Sequence, residues 1–419
     1  MTTHCAEPSG QATMPMETLV KQFAQLRRAM AMSLVLVAIG WPQQPVGGQN
    51  NLRQTALGLE QRGQIREAET TWRAILRAHP SDAEAYAHLG LLEAHQEHYA
   101  EAVPLYRKAL ALNPAIPGLR LDLGLSQFKS GALKDAVQTF TPLLKSETPS
   151  SPEAQRLTTL IGLAHYGLGE YAAAVPFLKQ TTALDPKNLP FRLVLAHSCL
   201  WAKDYQCVLD VYHQILTLNA ESAEADMLAG EAYDEMKNDA GATEEFRAAV
   251  KADPRLPNVH FGLGYLLWRL MQYDEAAAQF KAELVNNPDH PLALTYLADS
   301  DIRLAQPEPA LPLLERAVQI DPTIALAHLD LGILYADKGR NAFALRELKA
   351  AARLNPNDQN VHWRLARFYQ AEGEKVEAKA EFDKTRNLQK AADETIFKKL
   401  HQAQSKGKST ERDSAPATQ

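Results

Sequence analysis

The segment HLGLLEAHQEH, residues 88–98, carries three histidines whose type suits metal binding. His95 and His98 are three residues apart, so they would share one face of a helix. The pattern of zinc proteases, HExxH, instead places two histidines four residues apart with a glutamate between them. The spacing therefore favours exposed polar histidines at His88, His95 and His98 over a metal site.

Three further histidines, His260, His328 and His362, are separated by multiples of 34 residues. Such a recurrence indicates that the ring packs at the same place in successive repeats, and it argues against a ligand cluster. The chain has neither a glycine-rich phosphate loop nor a nucleophile elbow. We therefore expect no catalytic residue, no metal and no cofactor.

Composition limits the class of protein. The chain has 419 residues, of which 46% are hydrophobic and 22% charged, as in soluble globular proteins. The formal net charge of -6 is small, and no basic stripe stands out. Nucleic acid is therefore excluded as the main partner.

Prolines and small residues recur with a fixed period. Pro254, Pro288, Pro322 and Pro356 are each 34 residues apart, and a period of this length predicts a repeat architecture. Two helical patterns fit between successive prolines, joined by a turn that often holds a glycine suited to a left-handed helix end. These turn glycines are Gly63, Gly131, Gly169, Gly339 and Gly373.

A small residue returns in each of the two helices of a unit, and a larger one follows four residues after the second. Gly124, Ala136 and Phe140 form one such set, and Gly264, Ala276 and Phe280 another. A glycine inside a helix costs about 1 kcal/mol relative to alanine. Its regular return indicates that the two helices approach each other closely.

This pattern resembles the tetratricopeptide repeat family. The resemblance implies an all-α fold, a right-handed α-solenoid superhelix of tandem helix-turn-helix units with a C-terminal capping helix. We place the array at residues 49–390, the capping helix at 387–404 and a disordered tail at 405–419. The ten units begin near residues 49, 83, 117, 155, 189, 223, 257, 291, 325 and 359.

The third and fifth units depart from the pattern. An insertion around Pro149 and Pro152 follows the third unit. The fifth has Val208 in place of the alanine and Ala220 in place of the proline. Cys199 and Cys207 lie on the two helices of this fifth unit, on either side of its turn. In an oxidising compartment they would form a disulfide that staples the unit, and otherwise they would be two buried thiols.

Residues 1–48 resemble a secretory signal followed by a linker. Lys21, Arg27 and Arg28 precede an apolar run from Ala29 to Ile39, which is too short to span a bilayer as a helix. The pattern favours cleavage near Gly48 and a periplasmic or envelope-associated bacterial protein. An amphipathic or anchoring segment is the alternative. If the segment is not a signal, the protein is cytoplasmic, and membrane contact arises only through an uncleaved signal.

The resemblance implies that the first helices of the units line a concave groove that binds a protein or peptide. An acidic centre in the sixth unit would accept a basic side chain of that partner. The lysine and asparagine pattern with which some family members hold acidic chaperone termini is absent. The residues that we expect in the groove are Phe128, Tyr166, Trp201, Met227, Glu231, Asp234, Phe261, Tyr265, Trp268, Arg269, Arg303 and Trp363.

The repeats and the capping helix leave no segment long enough for a separate catalytic domain. The sequence therefore predicts a non-enzymatic scaffold that binds a protein partner outside the cytoplasm. The alternative is a subunit of cell-envelope biogenesis machinery, in polysaccharide secretion or outer-membrane assembly.

Overall fold

The computed structural model describes residues 49–219 and 221–412, with side chains at 51–219, 221–395 and 398. Within these ranges every regular element is an α-helix, and no strand is present. The sequence-based predictions for the signal segment at 1–48, for Ala220 and for residues 413–419 lie outside the described residues. The predicted all-α solenoid of helix pairs is confirmed.

Twenty helices form ten antiparallel pairs, which fall into two compact blocks. The N-terminal block, residues 49–256, holds α1 (Gln49–Gln61), α2 (Ile65–Ala78), α3 (Ala83–His95), α4 (Tyr99–Leu112), α5 (Leu119–Ser130), α6 (Leu133–Ser146), α7 (Pro152–Gly167), α8 (Tyr171–Leu184), α9 (Leu189–Trp201), α10 (Tyr205–Leu216), α11 (Ala223–Glu235) and α12 (Asp239–Ala252). The C-terminal block, residues 257–412, holds α13 (Val259–Arg269), α14 (Tyr273–Asn286), α15 (Pro291–Arg303), α16 (Ala310–Ile320), α17 (Ala325–Asp337), α18 (Asn341–Leu354), α19 (Gln359–Ala371) and α20 (Lys375–Arg412). Odd-numbered helices are the first helices of their pairs, and each begins within three residues of the unit start given above.

The turn inside every pair contains one residue in the left-handed conformation, which reverses the chain after a helix end. Five of these residues are the glycines expected from the sequence, with φ between 67° and 86°. The other five pairs place a side chain there, although this conformation costs roughly 1–2 kcal/mol without glycine. These five residues are Glu97, Lys203, Lys237, Met271 and Ala305.

The core of each pair is the contact between a small residue of the first helix and a large residue of the second. Gly124 on α5 faces Phe140 on α6, and a Cβ atom at Gly124 would lie 2.4 Å from Phe140 Cε1. Gly264 faces Phe280 in the same way, at 2.8 Å. Both phenylalanines are 0% exposed. The small residues are therefore required by packing.

The recurring histidines pack within their own pairs. His328 lies 2.6 Å, through Nδ1, from Glu347 Oε2 on the second helix, and its Nε2 donates to the Pro322 carbonyl at 3.0 Å. His362 contacts Glu381 and Pro356 at the same two distances. The rings tie the loop before a pair to its second helix, in agreement with the packing role inferred from their recurrence.

The two irregular units keep the helix-pair geometry. After the third pair, Ser151 caps α7 by accepting a hydrogen bond from the Ala154 N–H, so that this helix begins at Pro152. In the fifth pair Val208 is 0% exposed at the alanine position. The core of this pair therefore accommodates the extra methyl groups.

The C-terminal end differs from the sequence-based prediction. The second helix of the tenth pair and the predicted capping helix at 387–404 form one continuous helix, α20, which extends to Arg412 into the predicted disordered tail. The reason is local: residues 375–406 contain neither proline nor glycine, so no helix-breaking signal separates the two segments. Leu388 is half-buried, whereas Ala392 is exposed. No helix in the described ranges has the length and hydrophobicity that crossing a bilayer requires.

Replacing Gly124 with alanine tests the close approach in the third pair. Alanine favours the helix by about 1 kcal/mol, but overpacking against Phe140 costs more. We expect Gly124→Ala to lower the free energy of unfolding by about 1–3 kcal/mol in urea titrations followed by circular dichroism. Gly58→Ala is the matched control, because only the flexible Arg62 side chain lies near its added methyl group. Equal or higher stability of Gly124→Ala would contradict this packing.

Candidate functional site

All twelve groove residues expected from the sequence lie on first helices. Their burial differs strongly. Tyr166 and Phe261 are only 5% and 8% exposed, so they belong to the core and present little surface to a partner. Trp363 is 40% exposed. The half-buried residues of the set include Phe128, Trp201, Met227, Glu231, Asp234, Tyr265, Trp268 and Arg269.

In the N-terminal block, the side chains of Trp201 and Tyr166 both contact the ring of His197. The sequence alone did not identify His197 as a site residue. The Trp201 indole N–H donates to His197 Nε2 at 3.0 Å. The ring must therefore carry its proton on Nδ1, which lies 3.1 Å from the Tyr166 hydroxyl. Burial lowers the pKa of His197 to about 4, which agrees with a neutral ring. The indole N–H of Trp201 is therefore already hydrogen-bonded to another residue of the protein.

The equivalent contact in the C-terminal block joins Trp268 to Asp299. The Trp268 indole N–H donates to Asp299 Oδ2 at 2.6 Å, and Arg303 Nε lies 3.3 Å from Asp299 Oδ1. Trp268 and Asp299 are separated by 31 residues, as are Tyr166 and His197. This common spacing of 31 residues could have identified His197 and Asp299 from the sequence. It shows that Tyr166 and Trp268 each connect consecutive first helices.

A second carboxyl group, Asp330 on α17, lies against Asp299. The proximity of the two carboxyl groups disfavours ionisation of Asp330. Asp330 is 6% exposed, and its Oδ2 atom has no hydrogen-bond partner among the described residues. Burial and the adjacent Asp299 carboxylate raise the pKa of Asp330 well above its usual value, while Arg303 and Arg364 oppose this effect. The neutral form of Asp330 is therefore favoured in the folded protein.

Aromatic rings of α13 and α15 surround this polar contact. Tyr265 and Trp268 each pack edge-on against Tyr296, with ring centroids 5.2 and 4.9 Å apart. Phe261 lies 6.1 Å from the same Tyr296 ring. Since the rings touch one another, they form a packed wall and leave no cage for a ligand.

In the N-terminal block, α11 forms an acidic face around Met227. It contains Glu224, Glu231, Asp234 and Glu235, and the helix has no lysine or arginine. The fifth carboxyl group of the helix, Asp226, is buried and accepts a hydrogen bond from the Tyr212 hydroxyl. Burial, followed by the neighbouring Asp234 and Glu235, raises the pKa of Glu231 to about 7. Such a face is suited to an approaching cation, which would relieve the repulsion between carboxylates.

The two cysteines of the fifth pair are brought together. Cys199 on α9 and Cys207 on α10 have their sulfur atoms at bonding distance, 2.07 Å, and both side chains are buried. Among the described residues, no group of three or more histidine, cysteine, aspartate or glutamate side chains is arranged to hold a metal ion.

Trp363 on α19 stands apart from these contacts. The guanidinium groups of Arg364 and Arg367 lie over its ring, 5.1 and 5.7 Å from the centroid. Arg364 was not selected from the sequence. It is the arginine that reaches Asp330 electrostatically.

Models of the tetratricopeptide repeat match residues 54–117, 93–161, 156–188 and 261–323. The chain is 24% identical to the protein CTR9 homolog of Arabidopsis thaliana, over 70% of the chain and 27% of that protein. It is also 24% identical to the BBSome complex member BBS4 of Bos taurus, over 71% of the chain and 56% of that protein. The chain thus spans between about a quarter and just over half of the length of these relatives.

Solved structures to which parts of the chain are similar include the following two. One is YrrB, described as a tetratricopeptide repeat protein with an unusual peptide-binding site, at 20% identity over 45% of this chain and 97% of that chain, with a TM-score of 0.37. The other is Naa15/Naa10 bound to HypK-THB, at 18% identity over 81% of this chain and 63% of that chain, with a TM-score of 0.41.

The Asp299–Asp330 pair predicts a pH-dependent stability. Because the pKa of Asp330 is raised on folding, its protonated form favours the folded state. This contribution is complete below the unfolded pKa, near 4, and is lost as the pH rises towards the folded pKa, at about 1.4 kcal/mol per unit of separation. In Asp330→Asn the side chain keeps nearly the same size and cannot ionise. We expect the variant to gain stability relative to the native chain in urea unfolding as the pH rises from about 5 to about 8.

The control for this prediction is Asp337→Asn, which removes an exposed carboxylate from the same helix. Its stability should follow that of the native chain across this pH range. If the curves for Asp330→Asn and the native chain run parallel as well, the buried carboxyl does not exchange a proton on folding.

Proposed function

The chain belongs to the tetratricopeptide repeat family, and we propose that it is a non-enzymatic scaffold that binds a protein partner on the exposed parts of its first helices. The observation that carries the proposal is that helix pairs account for nearly all of residues 49–412. The side chains best suited to chemistry, such as His197, Asp299 and Asp330, are occupied with holding consecutive first helices together. The function then resides in surface recognition.

Apolar side chains that remain half-exposed on first helices supply the contact area. In the N-terminal block these residues include Leu121, Leu125, Phe128, Leu193 and Met227. Burying such side chains contributes about 25 cal/mol per Å² of apolar surface, which favours an apolar or amphipathic peptide. The acidic face of α11 then selects a partner with a basic side chain near this apolar surface. BBS4, one of the relatives, is named as a member of a protein complex, which is consistent with this role.

We also propose that the protein works outside the cytoplasm, as a soluble scaffold or as a subunit of envelope biogenesis machinery. The signal-like segment at 1–48 supports export. The bonded Cys199 and Cys207 support it too, because disulfides persist mainly in oxidising compartments. The two roles can be distinguished by co-purification. Only a subunit of the machinery should co-purify with components of the secretion or outer-membrane assembly apparatus.

Substitutions on first helices test the binding surface. We expect Leu125→Arg combined with Met227→Arg to reduce capture of the partner from cell extracts by about tenfold or more, because both add a buried charge to the interface. Leu143→Arg combined with Val250→Arg is the matched control, since these side chains are equally half-buried but lie on second helices. Circular dichroism should show equal helical content in both variants. Equal capture by all forms would exclude this surface.

Thiol labelling tests the compartment. In protein quenched with acid directly from cells and then denatured, we expect maleimide to modify Cys199 and Cys207 only after reduction, as peptide mass spectrometry would show. The Cys199→Ser and Cys207→Ser double variant should unfold with a free energy about 2–3 kcal/mol lower, because a short closed loop is lost. Immediate labelling of both cysteines without reductant would contradict export.

A further inference from the structure

The last first helix, α19, exposes positions that are buried in the preceding pairs. Trp363 is 40% exposed, whereas the residues at the same place in the three preceding first helices are 8%, 0% and 4% exposed. These residues are Phe261, Thr295 and Leu329. The neighbouring position shows the same difference: Arg364 is exposed, while Tyr296 and Asp330 are each 6% exposed.

The cause is the first helix that follows in the earlier pairs. Tyr296 on α15 packs against Phe261 on α13, with ring centroids 6.1 Å apart, and Asp299 on α15 accepts the hydrogen bond of Trp268 on α13. Each first helix of this block thus contacts the next one. Within the described residues no first helix follows α19, so its equivalent side is uncovered.

This uncovered side is cationic and aromatic. Helix α19 contains Arg364 and Arg367 and no aspartate or glutamate, and both guanidinium groups lie over the Trp363 ring. Neither arginine forms an ion pair with a carboxylate in the part of the chain whose side chains are described. Asp330 lies near Arg364, but burial and the adjacent Asp299 raise the pKa of Asp330, which weakens its charge pairing with the arginine. An occupant would therefore need negative charge as well as apolar surface.

We propose that the terminal face, formed by Trp363, Arg364, Arg367 and Gln370, binds an acidic amphipathic helix of a partner protein. This helix takes the place that a following first helix has in the earlier pairs. An apolar or aromatic residue of the helix covers Trp363, as Tyr296 covers Phe261, and its carboxylates pair with the two arginines. The site is separate from the surface of Leu125 and Met227.

Charge argues against the two terminal segments of the chain as the occupant. Residues 387–412 contain more lysine and arginine than aspartate and glutamate, and so do residues 1–48. Like charges facing an interface reduce affinity, so neither segment of a second copy complements Arg364 and Arg367. An acidic helix from another protein does.

A peptide with a known mode of packing can probe this face. We choose a hydrocarbon-stapled helix with the sequence of residues 290–302, which contains Tyr296, Asp299 and Asp301 and no lysine or arginine. The matched peptide carries Asp299→Lys and Asp301→Lys. Binding of each labelled peptide to the full chain is measured by fluorescence anisotropy.

We expect the acidic peptide to bind the native chain at least about tenfold more tightly than its lysine counterpart. Trp363→Ala, and Arg364→Glu combined with Arg367→Glu, should each weaken binding of the acidic peptide by about tenfold or more. The lysine peptide should prefer the double glutamate variant. Arg353→Glu is the control, because it alters an exposed arginine on the neighbouring second helix and should change nothing.

Several results would overturn the proposal. These are equal affinity for both peptides, an equal loss with Arg353→Glu, or no saturation up to roughly 1 mM. A concentration-dependent dimer that Trp363→Ala dissolves would also overturn it, because a second copy would then occupy the face. Leu125→Arg combined with Met227→Arg should leave peptide binding intact, which separates failure of this site from failure of the groove surface.

Discussion

Each helix pair depends on one close contact, in which a large side chain of the second helix lies directly against a small residue of the first. Gly124 and Phe140 show how tight it is, since an added Cβ would come within 2.4 Å of the ring. Glycine weakens a helix by about 1 kcal/mol, so only packing can explain its presence there. A helix pair packed in this way still exposes apolar surface on one side. The next pair of the repeat buries that surface.

Consecutive pairs are joined by a different kind of interaction. The Tyr166 hydroxyl bonds to His197 and the Trp268 indole N–H donates to Asp299, and both bonds cross from one first helix to the next. An unpaired buried polar group costs about 1–3 kcal/mol, so a shifted register between helices is penalised more heavily than in an apolar interface. The polar links therefore contribute specificity of stacking more than stability. The carboxyl pair of Asp299 and Asp330 extends this arrangement to the next helix.

These two interactions explain which features could be predicted from the sequence. The period, the helix pairs and the turn glycines follow from local rules repeated ten times, so single exceptions such as Met271 in a left-handed turn do not obscure them. The site could not be predicted in the same way. Whether Trp268 points its N–H towards a partner or inwards depends on Asp299, which lies 31 residues later in another pair. The predicted capping segment at 387–404 is helical, but it continues the preceding helix because no break signal exists between them.

The same interactions determine which surfaces of the first helices remain available to a partner. A first helix inside a block has its polar groups and large rings covered by the next one, which leaves only half-buried apolar side chains and peripheral charges for a partner. The last first helix is covered on one side only, so its tryptophan and arginines keep both their surface and their charge. An array of nearly identical pairs thus presents two kinds of surface. Within the described residues, α19 differs chemically from the earlier first helices of its block because no further first helix packs against it.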